Sequence, residues 1–514
     1  MEGLVGRSIA VRGGMALVLG MAALSACGGS GTAGAQTLKI GVDSLPASQG
    51  NPFNSAVSPG IYTYAAIYDP LTFVDDTGQV KPWLATEWKN TSDTTWTFTL
   101  RDGVEFSNGE KLTAQGVADV VNFLKQNPEA KRSVVSNDLA TVKSAKAADA
   151  KTVEITTAVP DPVLPNKVTE LMIPAPKALA AGGVKGIAAK PVGTGPFQVK
   201  NWGGNKITLT AFEKSWRAPK EAGLEIQAMQ DPASRLQALQ SGQVDLITGV
   251  SPDQVDQMKG SIQAEVNPGN QVMSLAFRTV KGKDPVDSPL TDKKVRQALN
   301  YAVNKQAITD NLLLGKAKPV GQGPTEKVRG HNPDVQAYPH DPAKAKALLT
   351  EAGHPKGFAM SADVVVGAFP GDADIYQSVK QDLAKVGVNL TLNQMTFPTW
   401  LQNYTGNTWK TQAFGLSWNA LPTMDAGRAM TNFTCLRPST FFCDKPTADH
   451  LSAALTDMDG QKRDEQLRKV VAEMHDNPPA LFLVHQITIV GKSSSLEGAK
   501  DNNRFFRYDQ MAKK

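Results

Sequence analysis

Cysteine is scarce in this chain: three among 514 residues, at Cys27, Cys435 and Cys443. Histidine is nearly as rare, with six residues (His331, His340, His354, His450, His475 and His485), none at i,i+4 spacing on a helix. No HExxH pair occurs, and no second Cys/His pair accompanies Cys435 and Cys443 at ligand spacing, so no zinc site is encoded. Asp457-x-Asp459-Gly460 begins like a calcium loop but lacks the later acidic ligands. No GxSxG nucleophile elbow is present. Gly491-Lys492-Ser493 lacks the leading glycine of a P-loop, because Gln486 stands there. The chain therefore reads as a non-enzyme, with no catalytic residue, no metal site and no cofactor. Long basic runs are missing too. The longest are pairs such as Lys131-Arg132 and Lys293-Lys294, and 54 Lys+Arg against 49 Asp+Glu leave a net charge of only +5. No nucleic-acid partner is expected from such scattered charge. After residue 27 no window reaches 18 consecutive apolar residues, so no membrane-spanning segment is expected in the mature chain.

What remains is an ordinary soluble composition, 41% apolar and 20% charged. At about 150 residues per domain the length predicts roughly three domains. The first residues stand apart. Arg7 and Arg12 precede an apolar stretch at 13–26 that is short for a bilayer span and fits the core of a secretory leader. It ends in Leu24-Ser25-Ala26-Cys27, which resembles a bacterial lipobox, with Cys27 lipidated as the mature N-terminus. We therefore divide off 1–26 as a lipoprotein signal peptide and 27–36 as a flexible Gly/Ser tether. The tether holds a formal Gly29-x-Gly31-x-x-Gly34, which carries no weight because it neither follows a core strand nor opens a helix. Export also suits Cys435 and Cys443, which have seven residues between them. They form either a disulfide closing a small loop or two reduced buried thiols.

Along the mature chain, 37–43 reads as a strand. The runs Trp96–Leu100 and Val104–Phe106, joined by Arg101-Asp102-Gly103, predict a hairpin. Thr113 is a cap for a helix carrying Val117, Val120, Val121 and Leu124, and two strands flank Ala148-Asp149. From residue 190 the pattern becomes helix–turn–strand. Asp231-Pro232 opens a helix that Gly242 ends before the strand Val244–Ile247. Ile375, Val379, Leu383 and Val386 line a second helix, ended by Gly387 before the alternating Val388, Leu390 and Leu392. Asp341-Pro342 starts a third. Two separate α/β units follow, one on each side of 270–290.

Several segments together resemble one family, the extracellular solute-binding proteins of ABC transporters, family 5, the peptide/nickel-binding class. They are Pro82-Trp83-Leu84-Ala85-Thr86-Glu87-Trp88; the run from Trp96 through Arg101-Asp102-Gly103 to Asn108-Gly109; Gly193-Thr194-Gly195-Pro196-Phe197; Leu239–Asp245; Val295-Arg296-Gln297-Ala298-Leu299-Asn300-Tyr301-Ala302; and Asp341-Pro342 with Lys344–Leu349 and Ala352-Gly353. The resemblance implies an α/β fold of the type II periplasmic-binding-protein kind. Two lobes close on a ligand like a flytrap, and a subdomain is inserted in the first. The boundaries it implies are 37–70 and 190–275 for lobe I, 71–189 for the inserted subdomain, 276–487 for lobe II and 488–514 for a C-terminal return to lobe I. Gly193 to Pro196 would shape a turn near the hinge, and Arg296 would make a surface or structural ion pair.

The resemblance further implies a monomeric, lipid-anchored, extracytoplasmic receptor that passes a solute to a permease and an ATPase. An oligopeptide is the leading ligand. A nickel chelate, an oligosaccharide or an opine-like solute is the alternative, and an exported hydrolase or a surface adhesin is a remoter one. Peptide-binding relatives often place an Asp three residues after a second-lobe Trp to neutralise the ligand amine. Here Trp418 is followed by Asn419 and, at that position, Leu421, while Asp425 lies further on. Arg278 stands where relatives often carry Asn and is either a partner for a ligand carboxylate or a surface residue at the lobe junction. Trp418 is either a stacking platform or core. The candidate ligand-binding residues are Tyr62, Arg278, Trp418, Asn419 and Asp425.

Overall fold

Alternating apolar residues open the fold as strand β1 (Thr37–Val42), with Leu38, Ile40 and Val42 buried. The computed structural model describes residues 36–54, 58–281, 284–502 and 505–514. The expected signal peptide, Cys27 and the tether up to residue 35 lie outside the described residues. Helix α1 (Ser58–Ile67) follows, then a small antiparallel pair, β2 (Thr72–Val74) with β3 (Val80–Pro82). The next unit is a separate four-stranded antiparallel sheet of β4 (Ala85–Ser92), β5 (Thr95–Leu100), β6 (Val142–Ala147) and β7 (Thr152–Thr157), ordered β4-β5-β7-β6. Helix α2 (Ala114–Gln126) buries Val117, Val120, Val121 and Leu124 in the core shared with this sheet. The Thr113 side chain caps it by accepting the Gly116 N–H.

One local expectation fails. Trp96–Leu100 does not pair with Val104–Phe106; its neighbours are β4 and β7. The Leu112 N–H instead donates to the Val104 carbonyl and the Phe106 N–H to the Glu110 carbonyl, which closes a turn within 104–112. The apolar face of β5 is better buried by longer strands than by a three-residue run.

Strands β8 (Phe197–Trp202), β9 (Lys206–Ala211) and β10 (Gly223–Ala228) form an antiparallel meander. β10 lies parallel to β1, and β1 lies parallel to β11 (Leu246–Ile247). Between β10 and β11 runs α3 (Pro232–Gln240). The Asp231 side chain caps it by accepting the Ser234 N–H, and Gly242 stops it at a φ of +71°. Next comes the long strand β12 (Ile262–Phe277).

The second half repeats the grammar. In helix α4 (Lys293–Ala302) the buried Arg296 donates to the carbonyls of Leu290, Thr291 and Pro478, which makes it a scaffold residue. Strand β13 (Phe358–Val364), helix α5 (Asp372–Lys385) and strand β14 (Val388–Gln394) form a parallel β–α–β unit, with Ile375, Val379 and Leu383 buried. Helix α6 (Phe397–Gly406) leads to β15 (Ala413–Gly415), β16 (Trp418–Asn419) and helix α7 (Ala426–Asn432). Helix α8 (Gly460–Asp476) precedes the final long strand, β17 (Ala480–Ser493). The main sheet runs β14-β13-β15-β12-β17-β11-β1-β10-β9-β8, with β16 added to β12. Among the described residues only β12 and β17 belong to both ends, so the two lobes share two strands.

The motifs of the first lobe meet at one group. Asp69 is fully buried. One carboxylate oxygen accepts hydrogen bonds from Trp83 Nε1 and Arg217 Nε, both at 2.7 Å. The other accepts from the Thr194 hydroxyl at 2.7 Å and Trp216 Nε1 at 3.0 Å. The Gly193–Phe197 segment thus packs on the end of α1 rather than at the hinge, five strands away from β17. A Cβ on Gly193 would lie 2.0 Å from the Ile67 carbonyl oxygen, which only glycine tolerates. Asp69→Asn should leave the Arg217 guanidinium short of charge in a dry site. The expected cost is about 3 kcal/mol, read as a lower urea midpoint; an unchanged midpoint would show that the network does not support the fold.

Candidate functional site

Where β12 and β17 pass from one lobe to the other, their pairing breaks. Ile262 to Pro268 run opposite Ser493 to Ile487; the register shifts between Pro268 and Val272 and again between Met273 and Ser274, so that Val272 and Met273 lie opposite His485 and Val484, and Ser274 to Ala276 opposite Phe482 to Ala480. Between Pro268 and Val272 the pairing of β12 with β17 is interrupted. Gly269 is required here, because a Cβ would sit 2.8 Å from the Gln486 carbonyl oxygen. The short strand β16 closes on the same point, with Asn419 opposite Gln271 and Trp418 opposite Val272.

The side chains gathered at this crossing are mostly uncharged hydrogen-bonding groups. Thr325 donates to Asn270 Oδ1 at 3.3 Å, and Gln486 Nε2 donates to the Ser417 hydroxyl at 3.3 Å. Asn419 Oδ1 accepts the Leu421 N–H at 3.0 Å and so shapes the start of the 419–425 loop. His485 is the titratable group among them, and burial keeps it neutral. It is 8% exposed, and its burial pushes its pKa down to about 4 against the opposing pull of Glu326, with Lys318 and His331 lowering it further.

The candidate residues divide. Trp418 and Asn419 reach the crossing. Trp418 does so as a wall: it is 1% exposed, stacked on Phe433 at 5.3 Å and covered by Gly323, where a Cβ would lie 2.0 Å from the indole. Arg278 does not reach it. It follows the far end of β12, seven residues beyond Gln271, or about 23 Å at the rise of an extended strand. There its backbone N–H donates to Gln412 and its guanidinium to the Trp409 carbonyl. Asp425 is also occupied. Its Oδ1 accepts the Gly427 N–H at 2.8 Å as the cap of α7 and bonds Arg463 at 2.5 Å, with both side chains at or below 2% exposure. A carboxylate so paired is not offered to a ligand. Tyr62 is 4% exposed, stacks on Phe506 at 4.4 Å and donates its hydroxyl to Asp501 at 2.8 Å, which ties α1 to the C-terminal segment. Cys435 and Cys443 are joined by a disulfide, with Cα atoms 4.6 Å apart.

Asn270, Gln271, Ser417, His485 and Gln486 were not singled out from sequence. One signal was available: Pro268-Gly269 inside an otherwise strand-like run marks an interruption of the ladder. Asp425-Ala-Gly also carries the pattern of a helix cap, which points away from a ligand role.

Residues 79–437 match the family model described as bacterial extracellular solute-binding proteins, family 5, middle. The dipeptide-binding protein of Escherichia coli K12 is 30% identical over 481 residues, covering 85% of this chain and 88% of that protein. The nickel-binding periplasmic protein of the same organism is 29% identical over 320 residues, covering 58% of this chain and 59% of that protein. Among solved structures, the substrate-binding protein CtaP of Listeria monocytogenes aligns with a TM-score of 0.81 at 21% identity, covering 93% of this chain and 99% of that one. AgaA of A. tumefaciens R10, in complex with agropinic acid, aligns at 0.76 and 23%, with 93% and 99% coverage.

The buried imidazole gives this site a pH signature. His485 stays neutral in the folded protein down to about pH 4, whereas an unfolded His titrates near 6.5. Between those values the unfolded chain binds the extra proton, so stability falls as pH drops through that window, by at most about 3 kcal/mol from this residue. His485→Gln should flatten that part of the thermal-midpoint-against-pH curve. An identical slope in the variant would remove His485 as the cause.

Proposed function

Because the chain belongs to family 5 of the bacterial extracellular solute-binding proteins, we propose that it is a lipid-anchored receptor that captures short peptides between its lobes. As a member of that family it is the binding component of an ABC importer and not an enzyme. Its partners are the permease and ATPase subunits. No helix among the described residues is long and apolar enough to cross a membrane.

The observation that carries the peptide reading is the make-up of the crossing. Asn270, Gln271, Ser417, Asn419 and Gln486 supply amides and a hydroxyl beside the interruption of the β12–β17 register. Such a wall suits a ligand that is itself a chain of amide donors and acceptors. Leu421 in the position where relatives often hold Asp, together with an Asp425 consumed by Arg463, argues against capture of a free amine by lobe II at that position. Recognition then rests on the peptide backbone.

His485 supports a second reading. A neutral imidazole at the crossing is a good ligand for a divalent metal carried in a chelate. Native mass spectrometry of the freshly purified protein separates the two: bound short peptides are expected, and a co-purified metal complex or sugar without peptide would reject the leading reading. For the anchor, Cys27→Ala should abolish incorporation of radiolabelled palmitate and release the protein from the membrane fraction. Unchanged membrane retention would reject Cys27 as the anchor.

A further inference from the structure

Away from the crossing, the segment 71–189 grips lobe II at a second place. The grip centres on the loop 419–425, which starts at Asn419 on the crossing and ends at the cap of α7. Arg428 on α7 donates one guanidinium N–H to the Leu421 carbonyl at 2.5 Å and another to Asp138, which lies beside α2 in the four-stranded unit. Asn166 Nδ2 donates to the Thr423 carbonyl at 2.6 Å. Lys327 Nζ donates to the Asp76 carbonyl at 2.6 Å. At the turn between β2 and β3, a Cβ on Gly78 would lie 2.5 Å from the Lys327 carbonyl oxygen and 2.9 Å from Met424 Cε. Val74 is buried in the same apolar cluster as Leu421 and Met424, and Val80 packs against it.

These partners are joined by the chain only through β12 and β17. Every one of the contacts therefore depends on the angle between the lobes. We infer that the 71–189 unit is a latch on the cleft, with Arg428 as its positioning residue. When the lobes close, Arg428 ties the loop shaped by Asn419 to Asp138, and the latch keeps a closed population even without solute. The pair is suited to this. Asp138 is 10% exposed and Arg428 39%, so the bond is partly shielded from water and worth more than an exposed ion pair. Arg428 also satisfies a loop carbonyl, so its loss takes a donor from the Leu421 carbonyl as well as from Asp138. Both polar groups would regain water only if the lobes part.

The inference rests on the solute-receptor reading, but its test needs no ligand. Small-angle scattering is measured on the ligand-free full chain, as wild type, Arg428→Ala, Asp138→Arg, and the swapped pair Asp138→Arg with Arg428→Asp. The expected result is a shift to a larger radius of gyration in each single variant and a return towards the wild-type value in the swapped pair. Thermal midpoints should stay within error of wild type, because the latch bridges lobes and does not build either core. An equal radius in all four proteins, a wild type already as extended as the variants, or a lowered midpoint that the swap does not restore would overturn the latch. Failure to find a bound peptide in the wild type would overturn the peptide reading and leave the scattering result to decide the latch.

Discussion

The carboxylate of Asp69 takes four hydrogen bonds with no solvent at all. An isolated charge in such a place would cost many kcal/mol, and only a full set of donors together with a counter-charge makes it tolerable. The four donors come from three separated stretches: Trp83 after β3, Thr194 before β8, and the Trp216-Arg217 pair between β9 and β10. Arg217 in turn donates to the Ala65 carbonyl at 2.7 Å and pairs with Asp509 at 3.3 Å, which draws in α1 and the C-terminus. The first lobe can close around this carboxylate only when all of these segments have arrived. The rigid frame that results holds one end of the two crossing strands in place.

The second constraint is that β12 and β17 must serve two sheets. A strand that twists with one lobe and then with the other cannot keep one register throughout, and the slips between Pro268 and Val272 and between Met273 and Ser274 are where the mismatch is absorbed. The first break lies where β16 joins β12, with Asn419 opposite Gln271. The grip of the 71–189 unit on the 419–425 loop adds a second connection at a distance from the first, and two separated connections fix an angle where one would leave it free.

Much of the architecture was legible in the sequence. The caps at Thr113, Asp231 and Asp341 sit where expected, because a cap is a local bargain between one side chain and the next turn of backbone. The helix–Gly–strand units also sit where expected, since periodicity and a positive φ are local as well. The hairpin at Trp96–Phe106 was misread because strand pairing is decided by partners far along the chain. The candidate site was less legible. Arg278 looked like a junction residue by its place in sequence, but extended backbone carried it to the far end of the sheet. Asp425 looked available until Arg463 was folded against it.

The sequence by itself determined the helix ends, the lack of catalytic and metal motifs and the membership of the family. All of these reside in short stretches whose physics is complete within a few residues. The tertiary structure alone decided which side chains face the crossing, that Trp418 is a wall, that Asp425 is spent on an ion pair, and that Asp138 and Asn166 reach the 419–425 loop. Those outcomes depend on where β12 and β17 carry the two lobes. That placement is set by register and buried charge across distant segments, which no local pattern encodes.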